Sequence, residues 1–272
     1  MPTSLLKTNG STRLIASDLD GTLLRSDGSV SQRTLAALER TVEAGIRFVL
    51  VSARSAGWLA PEATRLGLGE IAICNNGALV YDVEGERVLI HRPLAPETAR
   101  EFVSRLRQAA PGVVFGCDRP SGFIAEHAYR SLHRAPDSIP RADLAALLAE
   151  PITKLVLQHP DLPQVELHQL ASELGDEQIE ACYSGAGLVE IAAAGVTKGS
   201  ALALLGEELG IGASEAIAFG DMLNDIPMLE WAGRGVAVAN AHDDVLAIAD
   251  EITASNDEDG VALVLETLLE AR

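Results

Sequence analysis

The segment SDLDGTLL (residues 17–24) follows directly on the apolar run LIA (residues 14–16). It places two carboxylates, Asp18 and Asp20, one residue apart at the point where a buried strand is expected to end. Two like charges there repel each other and lose hydration, so a purely structural role would need solvent or a helix N-terminus beside them. No helix start follows, because residues 21–30 are rich in turn formers. The pair therefore indicates a site for a divalent cation or a phosphoryl group, and a bound cation would offset the repulsion.

Short apolar runs alternate with helical patterns at both ends of the chain, which is typical of a parallel sheet with crossover helices. The run IRFVLVS (residues 46–52) is almost wholly apolar, as expected for a strand covered on both faces. Ser31 is the expected N-cap of the first helix, which ends near Gly45. We therefore predict an α/β fold with a doubly wound, mainly parallel sheet, a Rossmann-like core. The predicted core strands are residues 13–18, 46–52, 71–74, 216–221, 235–240 and 251–254.

The middle of the chain has a different pattern. A hairpin, a helix from about Pro96 and pairs of strands, the last pair joined by a glycine-rich turn at residues 185–187, indicate an α+β unit with antiparallel strands. Core-like alternation resumes after this unit. We therefore predict two domains: a core formed by residues 1–82 and 192–272, and an inserted domain formed by residues 83–191.

Length and net charge limit the function classes. The chain has 272 residues, of which 47% are hydrophobic, enough for a substantial core. Its 39 acidic and 21 basic residues give a formal net charge of -18, which argues against a surface that binds nucleic acid or an anionic membrane. An anionic substrate would therefore need local positive charge.

The cysteines and the first residues bear on the compartment. Cys74, Cys117 and Cys182 are odd in number and far apart, so we expect buried thiols in a reducing compartment, without disulfides or a Cys-x-x-Cys metal site. Residues 1–14 contain only a two-leucine apolar run, so we expect no signal peptide. No run approaches the roughly 18 consecutive apolar residues of a membrane span. We therefore expect a cytoplasmic protein that binds no membrane.

Polar residues follow several predicted core strands. Asp18 and Asp20 follow the first strand, Ser52 the second and Asp221 a later one, while Lys198 begins a predicted helix. The carboxyl ends of the strands in a doubly wound sheet meet at the edge where ligands bind. Three carboxylates, a hydroxyl and an ammonium at this edge suit one phosphoryl group and one magnesium ion. Further polar residues in corresponding places are Asn75, Asn76, Asn224 and Asp225.

Each of these residues, taken alone, also has a structural interpretation. Ser52 could be a strand-end hydroxyl or a local cap, and Asn224 could cap the helix that contains Pro227. Lys198 could be solvated, although a cation at a helix N-terminus is unfavourable without a nearby anion. The segment Asn75–Gly77 could serve only as a turn. These interpretations stay open on the residues alone.

Four segments resemble, in order and spacing, the motifs of the haloacid dehalogenase superfamily phosphatases: DLDGTLL (18–24), VSAR (51–54), VTKG (196–199) and GDMLND (220–225). The segment at 235–262 is similar to the C-terminal part of the Cof-type subfamily (subfamily IIB), so the resemblance covers the whole chain. The insert falls between the second and third motifs, as in members with a type 2B cap. The resemblance therefore implies a Rossmann-like core with an inserted α+β cap domain that selects the substrate.

The resemblance implies catalytic roles for both carboxylates of the first motif. Asp18 would be the nucleophile that attacks phosphorus and forms an aspartyl-phosphate. Asp20 would protonate the leaving alcohol and then activate the water that hydrolyses this intermediate. Magnesium would be held by Asp18, Asp20 and Asp221, with the backbone carbonyl of Leu19 or Asp20 and waters completing its coordination shell.

The resemblance also implies a set of residues that bind the phosphoryl group: Leu19, Ser52, Ala53 through its amide, Lys198 and Asn224. Asp225 would orient Lys198 or a metal-bound water rather than bind metal directly, and Arg54 would face either the substrate or the surface. The chain departs from the subfamily pattern at Ala53, where Gly is usual. A methyl group at that position narrows the approach of the amide to phosphate.

These features predict a Mg²⁺-dependent phosphatase that hydrolyses a small phosphomonoester, a sugar phosphate or a related metabolite, through an aspartyl-phosphate. A phosphotransferase such as a phosphomutase and a phosphate-binding regulator without turnover are the alternatives. We expect a monomer or a small homo-oligomer that binds no nucleic acid. The insert is expected to be a lid whose loops at residues 116–123 and 183–188 select the substrate.

Overall fold

The computed structural model describes residues 12–68, 70–130, 139–184 and 188–272. Two parts of the sequence predictions, the absence of a signal peptide at residues 1–11 and the turn at 185–187, lie outside the described residues. The elements of the N-terminal part are β1 (Leu14–Ser17), α1 (Gln32–Glu43), β2 (Arg47–Val51), α2 (Ala56–Arg65), β3 (Ile71–Cys74), β4 (Leu79–Asp82) and β5 (Arg87–His91).

The middle part of the chain contains helices and strands in mixed order: α3 (Pro96–Ala109), β6 (Val114–Arg119), β7 (Gly122–Ala125), α4 (Leu144–Leu147), β8 (Lys154–Gln158), α5 (Gln164–Gly175), β9 (Ile179–Ser184) and β10 (Leu188–Ala193). The C-terminal part alternates again: α6 (Lys198–Leu209), β11 (Ala216–Gly220), α7 (Ile226–Trp231), β12 (Arg234–Ala237), α8 (Asp243–Ile248), β13 (Glu251–Ile252) and α9 (Gly260–Glu270).

The two ends of the chain form one eight-stranded sheet in the order β13-β12-β11-β1-β2-β3-β4-β5. The six strands from β13 to β3 are parallel. Strand order runs outward from β1 in both directions, so the topological switch point lies between β1 and β11, where ligands of doubly wound sheets bind. This sheet confirms the predicted doubly wound α/β core.

The core strands are buried because helices cover them. All four residues of β1 are buried, as expected for a central parallel strand. The side chain of Ser31 accepts a hydrogen bond from the backbone amide of Thr34 and caps α1 as predicted. Gly45, just past the end of α1, has a φ of +77°, a conformation that glycine adopts without steric cost.

The inserted domain has its own antiparallel sheet in the order β7-β6-β8-β10-β9. Helices α3 and α5 contact each other, and α5 packs against β9 and β10. A separate cluster of buried side chains, which includes Phe102, Phe115, Leu155 and Ile191, fills the space between the helices and the sheet. The insert is therefore an α+β unit with its own hydrophobic core, which we call the cap.

The sheets divide the chain at slightly different residues from those expected. β4 turns back along β3, and β5 pairs with β4, so the hairpin through His91 extends the core sheet with two antiparallel strands. The predicted boundary at residue 82 divides this hairpin, because hairpin patterning alone does not tell which sheet a hairpin joins. At the other end, β10 keeps the chain in the cap sheet as far as Ala193.

None of the helices in the described ranges is both long and apolar enough to cross a membrane.

Candidate active site

Three adjacent strands of the core sheet end at one place. β1 lies between β11 and β2, and Asp18, Ser52 and Asp221 are the residues that directly follow these strands. The backbone amide of Asp18 donates to the carbonyl oxygen of Phe219 at 3.0 Å, so the sheet ladder continues into the first motif. The parallel register therefore brings together three polar side chains that are far apart in sequence.

Lys198 is the first residue of α6 and is 1% exposed. Its Nζ donates to Oδ1 of Asp18 and to Oδ1 of Asp225, at 2.5 Å in each case. A capping box formed by Thr197 and Ser200 fixes the start of the helix and hence the base of the lysine side chain. Burial alone disfavours the ammonium, but the charges of Asp18 and Asp225 outweigh burial and raise the pKa of Lys198. The site therefore holds a fixed positive charge.

Asp225 is completely buried, and both of its carboxylate oxygens are engaged. Oδ1 accepts from Lys198, while Oδ2 accepts from the backbone amides of Asp221 at 3.0 Å and Met222 at 2.9 Å. Asp225 thus links the lysine to the loop that carries Asp221. This geometry suits a positioning role for Asp225.

A cluster of three buried carboxylates lies beside Lys198. Asp18, Asp221 and Asp225 each offer an oxygen, and these oxygens all lie within 4.8 Å of one another. Burial raises the pKa of Asp18 well above its usual range, and the charge of Lys198 offsets this only in part. Burial and the charge of Asp225 together raise the pKa of Asp221 to about 6. The cluster is therefore short of positive charge.

Asp221 is held closely by the turn after the first motif. The hydroxyl of Thr22 donates to Oδ1 of Asp221 at 2.6 Å. Gly21 has a φ of +85°, and a Cβ atom at this position would lie 2.5 Å from Oδ2 of Asp221. Glycine is therefore required here both for the backbone conformation and for the close approach of the carboxylate.

The chemistry of this donor set fits a magnesium ion. Carboxylate oxygens are the hard ligands that Mg²⁺ prefers, and a divalent cation would offset the repulsion within the cluster. Oδ2 of Asp221 has no hydrogen-bond partner in the described part of the chain, and Oδ1 of Asp18, which accepts one hydrogen bond from Lys198, keeps a second lone pair for a cation. The two oxygens of Asp225 together accept three hydrogen bonds. Asp18 and Asp221 are therefore the two carboxylates best placed to hold the ion.

Asp20 departs from the predicted set of metal-binding carboxylates. Its half-exposed carboxylate accepts hydrogen bonds from Arg54, through Nε at 2.8 Å and through Nη2, and it does not belong to the carboxylate cluster found in the described ranges. The pairing with Arg54 is the physical reason for this difference. Of the two backbone carbonyls predicted as ligands, that of Leu19 already accepts from the amides of Leu23 and Leu24. The carbonyl of Asp20 is therefore the better candidate.

The second motif forms a tight loop after β2. The amide of Ser52 continues the sheet by donating to the carbonyl of Ile73 at 2.9 Å. Its Oγ accepts from the backbone amide of Arg54 at 3.2 Å, so this contact leaves the hydroxyl hydrogen available for another acceptor. The carbonyl of Ala53 accepts from Nζ of Lys154, a residue of the cap, at 2.6 Å. The loop is thus held by groups of both domains.

The turn after β3 also contacts both domains. Asn75 and Asn76 have φ values of 53° and 56°, in the left-handed region that asparagine tolerates better than most residues. Asn75 donates to Oδ2 of Asp118 in the cap at 2.7 Å. Asn224 donates to Oδ1 of Asn76 at 3.0 Å and does not cap α7, whose N-cap residue is Asp225. The asparagine turn therefore does more than reverse the chain.

Sequence patterns did not single out three charged cap residues that face this region. Asp118, Lys154 and Glu190 lie on β6, β8 and β10, and each is at most 6% exposed. Nζ of Lys154 lies 2.5 Å from Oε1 of Glu190, and Oε2 of Glu190 accepts from Asn76 at 2.7 Å. The available signal was a charged residue within a short apolar strand, as in KLVLQ (154–158) and LVEIAA (188–193). Such residues are buried only when they are paired.

A cavity of about 210 Å³ lies between the cap and the core. On the core side it reaches Lys198 and Asn224, two of the predicted phosphoryl-binding residues. On the cap side it is lined by His168, Glu180 and Tyr183, among others, and the rings of His168 and Tyr183 meet edge to face. A small leaving group attached to a phosphoryl group beside Lys198 could occupy this space.

The chain is similar in sequence to known proteins. A family model described as haloacid dehalogenase-like hydrolase matches residues 15–265. The chain is 34% identical over 265 residues to the pyridoxal phosphate phosphatase YbhA of Escherichia coli, which covers 92% of this chain and 96% of that protein. It is 33% identical over 239 residues to the HMP-PP phosphatase of Klebsiella pneumoniae, which covers 84% of this chain and 85% of that protein.

The fold also has solved counterparts. The structure of the sugar phosphatase BT4131, of haloacid dehalogenase subclass IIB, matches with a TM-score of 0.81 over 94% of this chain and 98% of that one. Its sequence identity of 22% limits that likeness to the fold, a core with an inserted cap. The family model, by contrast, spans both ends of the chain and all four motifs. The chain therefore belongs to the haloacid dehalogenase-like hydrolase family, with the Cof-type, subclass IIB architecture.

Proposed function

We propose that the protein is a Mg²⁺-dependent phosphatase of small phosphorylated metabolites that works through a phosphorylated Asp18. The observation that carries this proposal is the buried Lys198, which holds one oxygen of Asp18 at 2.5 Å and leaves the other without a partner in the described residues. A carboxylate held in this way is oriented for attack on an electrophile in front of it.

In the first step, the unengaged oxygen of Asp18 attacks phosphorus and the ester P–O bond breaks. The electron pair of that bond stays with the alkoxide oxygen, which takes a proton from Asp20 and leaves as the alcohol. Lys198 neutralises part of the charge on the phosphoryl oxygens, and the hydroxyl of Ser52 can donate to one of them. The product of the step is an acyl phosphate on Asp18.

In the second step, water attacks the phosphorus of the acyl phosphate. Asp20, now ionised, accepts a proton from that water, the P–O bond to Asp18 breaks, and inorganic phosphate leaves. Asp20, which is half-exposed, thereby recovers the proton that it gave to the alcohol in the first step. Asp225 keeps Lys198 in place throughout, through the contact at 2.5 Å.

Asp18 and Asp221, with the backbone carbonyl of Asp20, would hold the magnesium ion. When bound, the ion would supply positive charge for the non-bridging phosphoryl oxygens and lessen the repulsion between the carboxylates. The pKa of Asp221, raised to about 6 by burial and by the charge of Asp225, supports this assignment, because a cation beside the carboxylates would offset the cost of ionising this group.

The cavity beside Lys198 supports a small leaving group. It offers the aromatic ring of Tyr183, the imidazole of His168 and the carboxyl of Glu180, whose pKa is raised by burial. Relatives with a third of their residues identical are named for pyridoxal phosphate and HMP-PP. We therefore propose pyridoxal phosphate as the first substrate to test, with sugar phosphates as the second class.

A panel of phosphorylated metabolites, assayed for inorganic phosphate with Mg²⁺ and with chelator, tests this proposal. The panel includes pyridoxal phosphate, HMP-PP, hexose phosphates and 4-nitrophenyl phosphate. We expect Mg²⁺-dependent release of phosphate, fastest from one of the first three. Transfer of the phosphoryl group to an added sugar without phosphate release would favour a phosphotransferase. Absence of both activities, with phosphate binding retained, would favour a regulator.

A further inference from the structure

The chain uses lysine sparingly. Of its 21 basic residues only three are lysines, Lys7, Lys154 and Lys198, and the other basic residues are arginines. Apart from the contact of His242 with Asp244, arginine forms the basic partner of the ion pairs at the surface of the described ranges, such as Arg100 with Glu97. The two lysines within those ranges are both buried. Lys198 contacts Asp18 of the first motif, and Lys154 contacts the Ala53 carbonyl of the second motif. Lys198 holds the nucleophile Asp18 in the proposed mechanism, whereas no step of that mechanism involves Lys154.

Lys154 joins the cap to the second-motif loop. It lies on β8 and is 6% exposed. Its Nζ donates to the carbonyl oxygen of Ala53 at 2.6 Å and to Oε1 of Glu190 at 2.5 Å. The other oxygen of Glu190 accepts from Asn76 at 2.7 Å. The ion pair is therefore anchored on the core at two points, the Ala53 carbonyl and the asparagine turn.

We propose that Lys154 is a positioning residue of the cap that sets the Ser52 hydroxyl for phosphoryl binding, a role that rests on the proposed phosphatase function. The carbonyl of Ala53 and the amide N–H of Arg54 belong to the same peptide group. Nζ of Lys154 donates to the oxygen of this peptide group, and the N–H of the same peptide group donates to Oγ of Ser52 at 3.2 Å. The hydroxyl hydrogen of Ser52 then points away from this donor, toward a phosphoryl acceptor.

The physical basis is a polarised chain of hydrogen bonds. A buried ammonium on a carbonyl oxygen is a charge-assisted contact, stronger than a neutral one. It draws electron density toward that oxygen and makes the N–H of the same peptide group a better donor, as in other cooperative hydrogen-bond chains. A better donor on Oγ in turn makes the Ser52 O–H a better donor to phosphate. Arginine, a planar fork, would not present the same single point charge to the Ala53 carbonyl.

The pairing with Glu190 keeps Lys154 charged in this place. Burial by itself disfavours the ammonium, but the nearby carboxylates of Glu190 and Asp118 outweigh it, and the pKa of Lys154 is raised. Because Lys154 comes from the cap and Ser52 from the core, the second motif is set correctly only where the cap lies against the core. The contact thus links substrate selection by the cap to the phosphoryl site.

A double-mutant cycle on Lys154→Met and Ser52→Ala tests the role, with 4-nitrophenyl phosphate and Mg²⁺ as the assay. Lys154→Met is expected to lower kcat about tenfold or more with a change in KM of less than about threefold. In the Ser52→Ala background the same change is expected to lower kcat by less than about twofold, since the group on which Lys154 acts is gone. A full tenfold loss in both backgrounds would overturn the proposal.

Two further variants separate positioning from loss of structure. Lys154→Met alone leaves the carboxylate of Glu190 buried without a partner charge, and this variant could unfold. In that case Lys154→Met/Glu190→Gln, which removes both charges and keeps an acceptor for Asn76, replaces Lys154→Met in the double-mutant cycle with Ser52→Ala. Arg100→Met removes a cap cation that is half-exposed and is expected to keep full activity. If the wild-type protein hydrolyses none of the substrates, the proposed function is wrong. If the wild type is active but the effects of Lys154→Met and Ser52→Ala on kcat are additive, only the proposed role of Lys154 is wrong.

Discussion

Nζ of Lys198 lies midway between two buried carboxylates, 2.5 Å from Oδ1 of Asp18 and 2.5 Å from Oδ1 of Asp225. Each contact has a different consequence. The first fixes one oxygen of Asp18 and directs the other toward the site, and the second links the lysine to the loop of Asp221 through the amides that Asp225 holds. One cation thus sets the geometry of both the nucleophile and a metal-binding carboxylate.

Asp225→Asn is expected to lower kcat by about tenfold or more. The amide cannot carry the charge that holds Lys198, and in either orientation its NH2 group faces a donor: the ammonium of Lys198 or the backbone amides of Asp221 and Met222. The check is kcat for phosphate release, with thermal unfolding to confirm that the variant is folded. Asp244→Asn, at a carboxylate that is 72% exposed, is the control and is expected to behave as wild type. Wild-type kcat in Asp225→Asn would argue against the positioning role.

Gly21→Ala and Gly28→Ala form a matched pair. Both glycines have positive φ, +85° and +79°, so both variants carry a similar backbone cost of about 1 kcal/mol. Only the methyl group at Gly21 would contact Asp221, because a Cβ at Gly28 meets no atom within 4 Å. Gly21→Ala is therefore expected to lose most of its Mg²⁺-dependent activity and Gly28→Ala to keep it. Equal activities would show that the approach of Asp221 to the turn is unimportant.

Much of the core could be predicted from sequence, because parallel strands covered on both faces have a strong local pattern. The run at residues 46–52 and the Ser31 cap are examples, and the strand-end rule placed Asp18, Ser52 and Asp221 at one edge. The environment of Asp20 could not be predicted, because its partner Arg54 follows a different strand. The sequence left open whether Arg54 faces the substrate or the surface. Lys154 and Glu190 were missed for a similar reason: their partners lie in the other domain.

The stabilisation by Mg²⁺ is expected to depend on pH. In the folded protein the pKa of Asp221 is about 6, above its unfolded value near 3.8, so protonation of this group favours the folded state. That contribution, on the order of 3 kcal/mol, is present below the unfolded pKa and is lost as the pH rises through about 6. Mg²⁺ needs the ionised carboxylate, so it restores stability mainly above that pH.

The measurement is the shift in Tm on adding Mg²⁺ at pH 5 and at pH 7. The shift is expected to be clearly larger at pH 7, and to vanish at both values in Asp221→Asn. Because each shift is the difference between the Tm with Mg²⁺ and the Tm without it at the same pH, the effect of titrating groups remote from the site on Tm cancels. Equal shifts at the two pH values would remove Asp221 from the metal site.

Asp20→Asn is expected to reduce activity most strongly on substrates with poor leaving groups. An alkoxide needs a proton to depart, whereas 4-nitrophenolate leaves readily without one, and an amide cannot supply the proton. The check is kcat/KM for an alkyl phosphate and for 4-nitrophenyl phosphate in the variant and the wild type. The same factor of loss on both substrates would rule out Asp20 as the general acid.

The most direct test of the proposed mechanism is a search for phosphate on Asp18 itself. Asp20→Asn is mixed with Mg²⁺ and 4-nitrophenyl phosphate, whose leaving group departs without a proton, so that only the second step depends strongly on Asp20. The sample is quenched in acid within the first turnover and cleaved after arginine, so that Asp18 is recovered in the peptide 14–25. We expect one added phosphoryl group on this peptide, in an amount that approaches the enzyme present, and none in Asp18→Asn, which remains folded and inactive. Phosphate release without a phosphorylated peptide, or wild-type turnover in Asp18→Asn, would contradict the proposed mechanism.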